Sequence, residues 1–291
     1  MKEIDALIIG KGPAGIQASL YMVRANITPV VIGKDIGANM LAKIVDNFYG
    51  FPEISGSDLV EIGIKQAEGL NIPVITDEVV SLAFDGDRYI VTTVNETYAC
   101  LALLLATGTQ RTIPRVRKIR NYTGKGVSYC AVCDGFFFKN KVVAVMGNAE
   151  YAASEARELV ELASKVYVLT DGLEPTAQFD ERVIIVKDKL VSVLGDDLVS
   201  GVETSEGVID LDGIFVALGS ASSSDLASQI GLEINHGRIV VNSEQETILP
   251  GLYAAGDCTP GPQQIAKAVS DGCIAGMNMV GYIRAKKRGL K

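Results

Sequence analysis

The sequence is poor in the residues that build a metal centre. Its 291 residues include one histidine, His236, and five cysteines, of which only Cys130 and Cys133 stand close together. A structural zinc site needs four ligands, and no second C-x-x-C pair is present to complete one. The odd number and the spacing of the cysteines do not match a disulfide framework either. We therefore predict no metal site, and we assign small buried roles to the other three cysteines.

Long apolar runs are also missing. No stretch approaches the ~20 apolar residues that span a bilayer, and the first ten residues carry acids where a signal peptide has bases. A net charge of −8 disfavours a nucleic-acid partner. The length favours two domains. We expect a soluble, cytoplasmic protein of two domains, with neither a membrane nor a nucleic acid as its partner.

Acids are absent from two parts of the chain, between Glu96 and Asp134 and from Gly272 to the end. Both parts are rich in bases. We call residues 111–125 the first basic segment and residues 284–291 the second. The bases are Arg111, Arg115, Arg117, Lys118, Arg120 and Lys125 in the first, and Arg284, Lys286, Lys287, Arg288 and Lys291 in the second. They form either solvated surface or a docking site for an acidic partner.

The stretch IIGKGPAGIQAS at 8–19 ends an apolar strand and opens a helix. Gly10, Gly12 and Gly15 complete the pattern G-x-G-x-x-G within a strand–turn–helix. The first glycine permits the tight turn, the second lets the backbone approach a pyrophosphate, and the third lets helix and strand pack closely. The phosphates then lie at the positive helix N-terminus. The pattern predicts a dinucleotide site.

A second copy of this arrangement follows. VMGNAEYAASEA at 145–156 again joins a strand to a helix, and LDGIFVALGS at 211–220 echoes CLALLLATGT at 100–109. The last strand, in TILPGLYAAGD at 247–257, has no counterpart in the second copy. The simplest layout is one domain interrupted by another. We predict a first domain at 1–111 and 243–291, and an inserted domain at 112–242.

Three spaced elements make the first site specific for a flavin. They are GKGPAG at 10–15, ATG at 106–108 and T-x5-YAAGD at 247–257. Asp257, at the end of a late strand, can accept hydrogen bonds from hydroxyls such as those of a ribitol chain. The set predicts FAD. The second strand is followed by Gly33, Lys34 and Asp35, where the acid that reads an adenosine ribose is less clear than in the usual pattern.

The stretch YCAVCDG at 129–135 supplies redox chemistry. Two thiols three positions apart can close a disulfide, and one thiolate can attack a substrate disulfide while the other resolves it. Asp134 follows directly and either handles the thiol proton or ends a turn. We take Cys130, Cys133 and Asp134 as the candidate catalytic residues.

With these motifs the chain resembles the low-molecular-weight bacterial thioredoxin reductases. GKGPAG, GVSYCAVCDGFFF, TILPGLYAAGD and QQIAKAVSDGCIAG carry the likeness over the whole chain. The resemblance implies an α/β fold of two Rossmann-like, three-layer domains, FAD-binding and NADPH-binding, with C-x-x-C on the inserted one. It also implies a homodimer, and thioredoxin as the electron acceptor. The predicted cofactor-binding residues, from the motifs and the resemblance, are Gly10, Gly12, Pro13, Ala14, Gly15, Gly33, Lys34, Gly37, Ala38, Asn39, Asn47, Ala106, Thr107, Gly108, Gly256, Asp257, Gln263, Gln264 and Ile265.

The chain departs from that family at the second dinucleotide site. Its turn reads Gly147, Asn148, Ala149, Glu150, so a methyl and a negative charge stand where a pyrophosphate would lie. The residues after the next strand, 170–175, include two acids and no base to bind a 2′-phosphate. The chain is similar here to a subgroup of the family that takes electrons from ferredoxin. Ferredoxins are acidic, which gives the basic segments a role.

Three hypotheses remain open at this point. The first is a ferredoxin-dependent flavin thioredoxin reductase. The second is an NAD(P)H-dependent reductase with a divergent site, in which Asp171, 24 residues after Gly147, reads an NADH ribose. The third is a non-catalytic or regulatory flavoprotein, or one that holds a second flavin in place of NADPH. The intact C-x-x-C disfavours a purely binding role.

Overall fold

The chain folds into two compact units. The computed structural model describes residues 1–35, 44–108, 114–219, 221–235 and 237–289. Unit 1 comprises Met1–Gln110 and Ser222–Lys291, and unit 2 comprises Arg111–Ala221. The predicted positions Gly37, Ala38 and Asn39, the first base of the first basic segment, Arg111, and the single histidine, His236, lie outside the described residues.

The chain returns to unit 1 earlier than the sequence predicts. We placed residues 222–242 at the end of the inserted domain, but they belong to unit 1. The Ser223 and Thr107 hydroxyls are 2.6 Å apart, and the backbone N–H of Ser223 donates to Thr107 Oγ1 at 2.7 Å. Gln229 Oε1 accepts from the backbone N–H of Leu82 at 2.7 Å. These contacts join segments far apart in sequence, and the second junction is therefore moved from 243 to 222.

Unit 1 contains a seven-stranded sheet with a parallel centre and an antiparallel edge. The order β3-β2-β1-β6-β5-β4 is completed by β17, which pairs with β6. The strands are β1 (Lys2–Ile9), β2 (Val30–Ile32), β3 (Val74–Ile75), β4 (Val79–Phe84), β5 (Tyr89–Thr93), β6 (Thr97–Leu105) and β17 (Leu252–Ala254). Strands β1 and β6 are apolar and largely buried, as expected for the centre of a parallel sheet. The carboxyl ends of β1, β2, β6 and β17 meet at one edge, where ligands bind in such folds.

The helices of unit 1 cover this sheet. Helices α1 and α6 pack together, and their buried residues form a core with Ile8, Leu104 and Tyr253 of the sheet. The helices are α1 (Pro13–Arg24), α2 (Gly56–Gly69), α5 (Ser223–Gln229) and α6 (Ile265–Lys287), with a small antiparallel pair β15 (Ile234–Asn235) and β16 (Arg238–Ile239). No helix among the described residues is both long enough and apolar enough to cross a membrane.

Unit 2 has a five-stranded parallel sheet, β10-β9-β8-β14-β7, and a three-stranded antiparallel sheet, β11-β12-β13. Its helices are α3 (Ala131–Asp134) and α4 (Glu150–Val160). Its strands are β7 (Val127–Ser128), β8 (Val142–Met146), β9 (Lys165–Leu169), β10 (Ile184–Val186), β11 (Leu190–Gly195), β12 (Val199–Thr204), β13 (Gly207–Asp210) and β14 (Gly213–Val216). The mixed sheet of unit 1, with its parallel centre, and the parallel sheet of unit 2, both with helices, confirm the predicted α/β class.

Candidate functional site

The first glycine-rich turn is shaped by packing at two glycines and left open at the third. A Cβ at Gly10, whose φ is +118°, would overlap the carbonyl oxygen of Ala106, and one at Gly15 would overlap that of Gly10. A Cβ at Gly12 would meet no protein atom within 4 Å. Gly12 is the N-cap of α1, makes no side-chain cap, and precedes Pro13. The backbone at Gly12 therefore borders open space beside the N-terminus of α1, where a pyrophosphate would fit.

The end of β6 carries the second predicted element. Ala106 N–H donates to the carbonyl oxygen of Ile9 at 2.8 Å, which sets it beside the glycine-rich turn. The hydroxyl of Thr107 is hydrogen-bonded to Ser223, as described above. Gly108 has φ +73°, a left-handed value that favours glycine. Thr107 thus holds the returning chain against the sheet edge, a role that its sequence position did not indicate.

Asp257 lies in a 3₁₀ turn, Gly256–Cys258, directly after β17. Burial raises the pKa of its carboxyl, and the nearby Lys267 and Arg238 act against that rise. Lys267 Nζ lies 2.8 Å from Asp271 Oδ2 and donates to the Gly256 carbonyl oxygen at 2.6 Å. Asp271 Oδ2 accepts from Gly256 N–H at 3.1 Å. This buried pair, separated by four residues on α6, fixes the turn that presents Asp257, and sequence reasoning missed it.

The start of α6 lies beside the segment that contains Asn47. Asn47 Nδ2 donates to Gln264 Oε1 at 3.3 Å, across 217 residues of chain. Gln264 is the N-cap of α6, without a side-chain cap, and Ile265 is its first residue. Asn47 and Gln264 are exposed. The structure therefore brings Asn47 next to Gln264 in unit 1; their contact with a flavin stays a prediction.

The end of β2 has a carboxylate that comes from a neighbouring strand. Lys34 Nζ lies 2.8 Å from Glu78 Oε2, at the start of β4. Glu78 Oε1 is buried and has no hydrogen-bond partner among the described residues. Lys11 is buried against Gly33 and donates to Thr76 Oγ1 at 2.7 Å; burial lowers the pKa of Lys11. Thr76 and Glu78 follow β3, and the parallel pairing of β3 with β2 places them beside the end of β2. No local sequence motif could therefore reveal these contacts.

The paired cysteines of unit 2 form a disulfide at the N-terminus of the short helix α3. The Cα atoms of Cys130 and Cys133 are 5.3 Å apart. Cys130 is buried and is the N-cap of α3, where its Sγ accepts from Cys133 N–H at 3.2 Å. Cys133 is exposed. Three large apolar side chains around the pair are also exposed: Val132, Phe136 and Phe137.

Asp134 is held by a buried serine. Its Oδ2 accepts from Ser128 Oγ at 2.6 Å, and Ser128 Oγ in turn accepts from Cys130 N–H at 3.2 Å. The carboxylate is thereby linked to the backbone of the disulfide through one hydroxyl. Sequence reasoning identified Asp134 but missed Ser128, although SYC directly precedes the motif.

The 147–149 turn keeps the backbone of a dinucleotide turn. A Cβ at Gly147 would overlap the carbonyl oxygen of Ala217, just as one at Gly10 would overlap Ala106. Ala149 is the N-cap of α4, the position that Gly12 has at α1. Its methyl group therefore occupies the place where unit 1 is open. The predicted duplication thus extends to the packing of the two turns.

The loop after β9 is bonded to this turn. Asn148 Nδ2 donates to the Glu174 carbonyl oxygen at 2.9 Å, and the Asn148 carbonyl oxygen accepts from Thr176 N–H at 2.7 Å. Asp171 Oδ1 accepts from Leu190 N–H at 2.9 Å. Two lysines that lie further along the chain also contact this loop. Lys187 Nζ lies 2.6 Å from Glu174 Oε2, and Lys189 Nζ donates to the Asp171 carbonyl oxygen at 2.6 Å.

The remaining three cysteines differ in burial. No group of three or more histidine, cysteine or acidic side chains could hold a metal within the part of the chain that the structure describes. Cys100 and Cys258 are buried, and burial raises their thiol pKa values to about 12 and about 11. Cys273 is half-buried, so its predicted buried role holds only in part.

Comparison with known proteins agrees with this site. The family model for pyridine nucleotide-disulphide oxidoreductases matches residues 4–272. The thioredoxin reductase of Listeria monocytogenes is 31% identical, over 100% of this chain and 97% of its own length. The chain belongs to the pyridine nucleotide-disulphide oxidoreductase family and, within it, to the thioredoxin reductases. FAD, predicted from the sequence, is the cofactor of this family and of this chain.

Two solved structures are similar over nearly the whole length. The atypical thioredoxin reductase TRi from Desulfovibrio vulgaris Hildenborough has a TM-score of 0.91 and 34% identity, and covers 97% of this chain and 99% of its own. A ferredoxin-flavin thioredoxin reductase from Clostridium acetobutylicum has a TM-score of 0.74 and 34% identity, and covers 98% of this chain and 99% of its own.

The residues of unit 1 fit FAD. The open space at Gly12 suits a pyrophosphate, the unpartnered Glu78 Oε1 suits a donor such as a ribose hydroxyl, and Asp257 suits the ribitol chain. Bound FAD would supply the conversion between single-electron and two-electron transfer.

Proposed function

We propose that this protein reduces thioredoxin with electrons from ferredoxin, and that the Cys130–Cys133 pair is the redox-active disulfide. The observation that carries the choice of donor is the hydrogen-bonded contact of Asn148 with Glu174 and Thr176. The protein's own loop bonds to the turn that would have to receive a pyrophosphate. Ala149 and Glu150 add a methyl group and a negative charge at the same place.

The disulfide passes its electrons on by thiol–disulfide exchange. Reduction of the pair gives one thiol and one thiolate, and the thiolate attacks the substrate disulfide while the second sulfur resolves the mixed disulfide. Exposed Val132, Phe136 and Phe137 beside the pair offer an apolar surface for a protein substrate. Asp134 is placed to hold or deliver the proton that accompanies thiolate formation.

The driving force permits this route. A plant-type ferredoxin near −400 mV and a thioredoxin near −270 mV differ by about 130 mV, or roughly 6 kcal/mol for two electrons. The acidic nature of ferredoxins requires a positive docking surface on a chain whose net charge is −8.

The first basic segment suits this docking better than the second. Arg115, Lys118, Arg120 and Lys125 are exposed and form no ion pair with another described residue. Arg117 is paired with Glu203 at 3.4 Å. We therefore propose the described part of the first basic segment, 115–125, as the ferredoxin-docking surface.

Three of the four second-segment bases that the structure describes contact other groups of unit 1; Lys291 lies outside the described residues. Lys286 lies 2.9 Å from Asp87, Lys287 lies 2.5 Å from Asp5, and Arg284 donates to the Ala25 carbonyl oxygen at 2.8 Å. Each ion pair cancels most of the field that a distant partner would sense. The second segment thus stabilises the end of α6 rather than steering a partner.

A second copy of the chain is the other partner that we propose. Tyr21 on α1, Ile62 on α2 and Met277 on α6 are large and exposed. Beside Ile62, a cavity of about 170 Å³ is lined mainly by apolar side chains and extends to Gly12, Pro13 and Ile265, which are predicted cofactor contacts. The exposed apolar side chains on the three helices favour a homodimer, which light scattering after gel filtration would measure as a mass near twice 30.9 kDa.

The donor is tested by anaerobic stopped-flow reduction of the bound flavin with reduced ferredoxin, NADPH or NADH. We expect ferredoxin to bleach the flavin and micromolar NADPH to leave it oxidised. Thioredoxin must then be reduced in the ferredoxin reaction. Bleaching by NADPH would contradict the proposal, and bleaching by NADH alone would favour an NADH-dependent reductase. Dithionite serves as the control that the flavin is reducible.

A further inference from the structure

We propose that Glu155, a buried acid on α4, is a positioning residue whose negative charge biases the Cys130–Cys133 pair toward the disulfide. Glu155 is 2% exposed. Its Oε2 accepts a hydrogen bond of 2.5 Å from the backbone N–H of Ala131, the residue directly after Cys130. The inference rests on the proposed function only in that it takes this pair to be redox-active.

Helix α4 contacts the motif at two points. Besides the bond from Glu155, the hydroxyl of Tyr151, one turn earlier on the same face, donates to the Tyr129 carbonyl oxygen at 3.1 Å. Tyr151 is 1% exposed. The backbone just before Cys130 and the backbone just after it are therefore both fixed by one helix. This arrangement holds the disulfide in one orientation relative to the sheet of unit 2.

The charge of Glu155 acts on the reduced state. Two electrons and one proton convert the disulfide to one thiol and one thiolate, so reduction creates a negative charge at the N-terminus of α3. A buried carboxylate nearby disfavours that charge, because the repulsion between like charges is poorly screened in the interior. This effect lowers the reduction potential of the pair and makes it a stronger reductant.

This role also gives a reason why a dinucleotide-type helix persists beside a closed site. Helix α4 begins at Glu150, immediately after the 147–149 turn. Its N-terminus faces a turn that the loop after β9 has covered, but its second turn supports the disulfide. Even without a bound nucleotide, the sequence of α4 would remain constrained, since the redox motif depends on this helix.

The test is a thiol–disulfide equilibrium of the holoprotein with glutathione buffers. Samples are quenched with acid and alkylated, and mass spectrometry of the peptide that contains Cys130 and Cys133 gives the reduced fraction. The decisive variant is Glu155→Gln, which can still accept from Ala131 N–H but carries no charge. The matched control is Glu158→Gln, which removes the same charge from an exposed position on the same helix.

We expect Glu155→Gln to shift the equilibrium about tenfold toward the dithiol, which is about 30 mV for a two-electron couple. Glu158→Gln should stay within twofold of the wild type. A shift below twofold in Glu155→Gln, or an equal shift in both variants, would overturn the inference. Glu155→Asp keeps the charge, so its thiol–disulfide equilibrium constant should lie nearer the wild-type value than that of Glu155→Gln. A constant further from the wild type in Glu155→Asp than in Glu155→Gln would also overturn the inference.

The same titration separates this inference from the proposed function. If the wild-type pair does not titrate as a two-electron couple, the redox role of Cys130 and Cys133 fails, and the inference fails with it. If the wild type titrates and only the Glu155→Gln shift is missing, the proposed function stands and Glu155 is merely structural. Ferredoxin is not used, so the identity of the donor does not affect the result.

Discussion

The carbonyl oxygen of Asn148 accepts a hydrogen bond of 2.7 Å from the backbone N–H of Thr176. This bond joins the second glycine-type turn to the loop that follows β9. In a dinucleotide site of this type the pyrophosphate lies against the turn and the helix N-terminus. In this chain the loop after β9 bonds to the turn through both the side chain and the backbone of Asn148.

The two glycine positions of the first turn should respond differently to substitution. Gly12→Val should leave the protein folded but lower FAD affinity at least tenfold, because the added side chain enters only the space of the pyrophosphate. Gly15→Val should impair folding, because its Cβ overlaps the Gly10 carbonyl oxygen. The ratio of flavin to protein absorbance and the circular dichroism of each variant measure these outcomes. Full FAD occupancy in Gly12→Val would contradict the placement of the pyrophosphate.

Each cysteine of the pair should be essential for turnover. Cys130→Ser and Cys133→Ser should both abolish reduction of thioredoxin, because one sulfur forms the mixed disulfide and the other releases it. The matched control is Cys273→Ser, which changes a free cysteine outside the motif. Insulin precipitation coupled to thioredoxin measures turnover. Normal turnover in the double serine variant would make the disulfide structural.

Asp134 and Ser128 should differ in the size of their effect. Asp134→Asn should slow thioredoxin reduction about 10²-fold, the lower end of what a positioned general acid contributes. Ser128→Ala should slow it less, because this hydroxyl only orients the carboxylate. Single-turnover reduction of thioredoxin by prereduced enzyme gives both rates. A larger loss in Ser128→Ala than in Asp134→Asn would assign the proton to another group.

Neutralising the first basic segment should slow ferredoxin-driven reduction. Lys118→Gln,Arg120→Gln should lower the flavin reduction rate severalfold at low salt, and the difference should fade near 0.15 M, where the screening length is about 8 Å. Lys286→Gln,Lys287→Gln changes the net charge equally in the second segment and should have a smaller effect. Reduction by dithionite should be the same in all variants. Equal rates with ferredoxin across a salt series would place docking elsewhere.

The Asp257 carboxylate should lower the stability of the apoprotein while raising its affinity for FAD. Burial raises the pKa of its carboxyl in the folded protein, so the ionised form is disfavoured there and weakens folding above that pKa. Asp257→Asn should therefore raise the Tm of the apoprotein at pH 7. The gain should shrink as the pH falls below the raised pKa and vanish near the ordinary carboxyl pKa of the unfolded chain. FAD affinity should drop in the same variant. An apoprotein less stable than the wild type at pH 7 would contradict this account.

Local sequence patterns were sufficient for the elements and for part of the site. The glycine-rich turn, the C-x-x-C pair and the late YAAGD strand are short motifs, because each depends on backbone geometry over a few consecutive residues. Their order along the chain also predicted the insertion of one unit into the other. The parallel strands of the two sheets follow from the alternation of apolar strands and amphipathic helices.

Other features depend on residues that are distant in sequence. Glu78 reaches the end of β2 through the pairing of β3 with β2, and Lys187 and Lys189 reach the loop after β9 from the connection between β10 and β11. The junction at 222 depends on Thr107 and Ser223, 116 residues apart. No local periodicity encodes such contacts.

The sequence by itself determined the family and the cofactor and predicted the chemically active residues, because these depend on motifs of a few neighbouring side chains. Only the tertiary structure decided how the second turn is closed, which basic residues are already paired, and that Glu155 lies against the backbone between the two cysteines. The physical reason is that the contacts at the second turn, the pairing of charges and the burial of side chains depend on three-dimensional proximity. They arise where the fold packs remote segments together and removes water from between them.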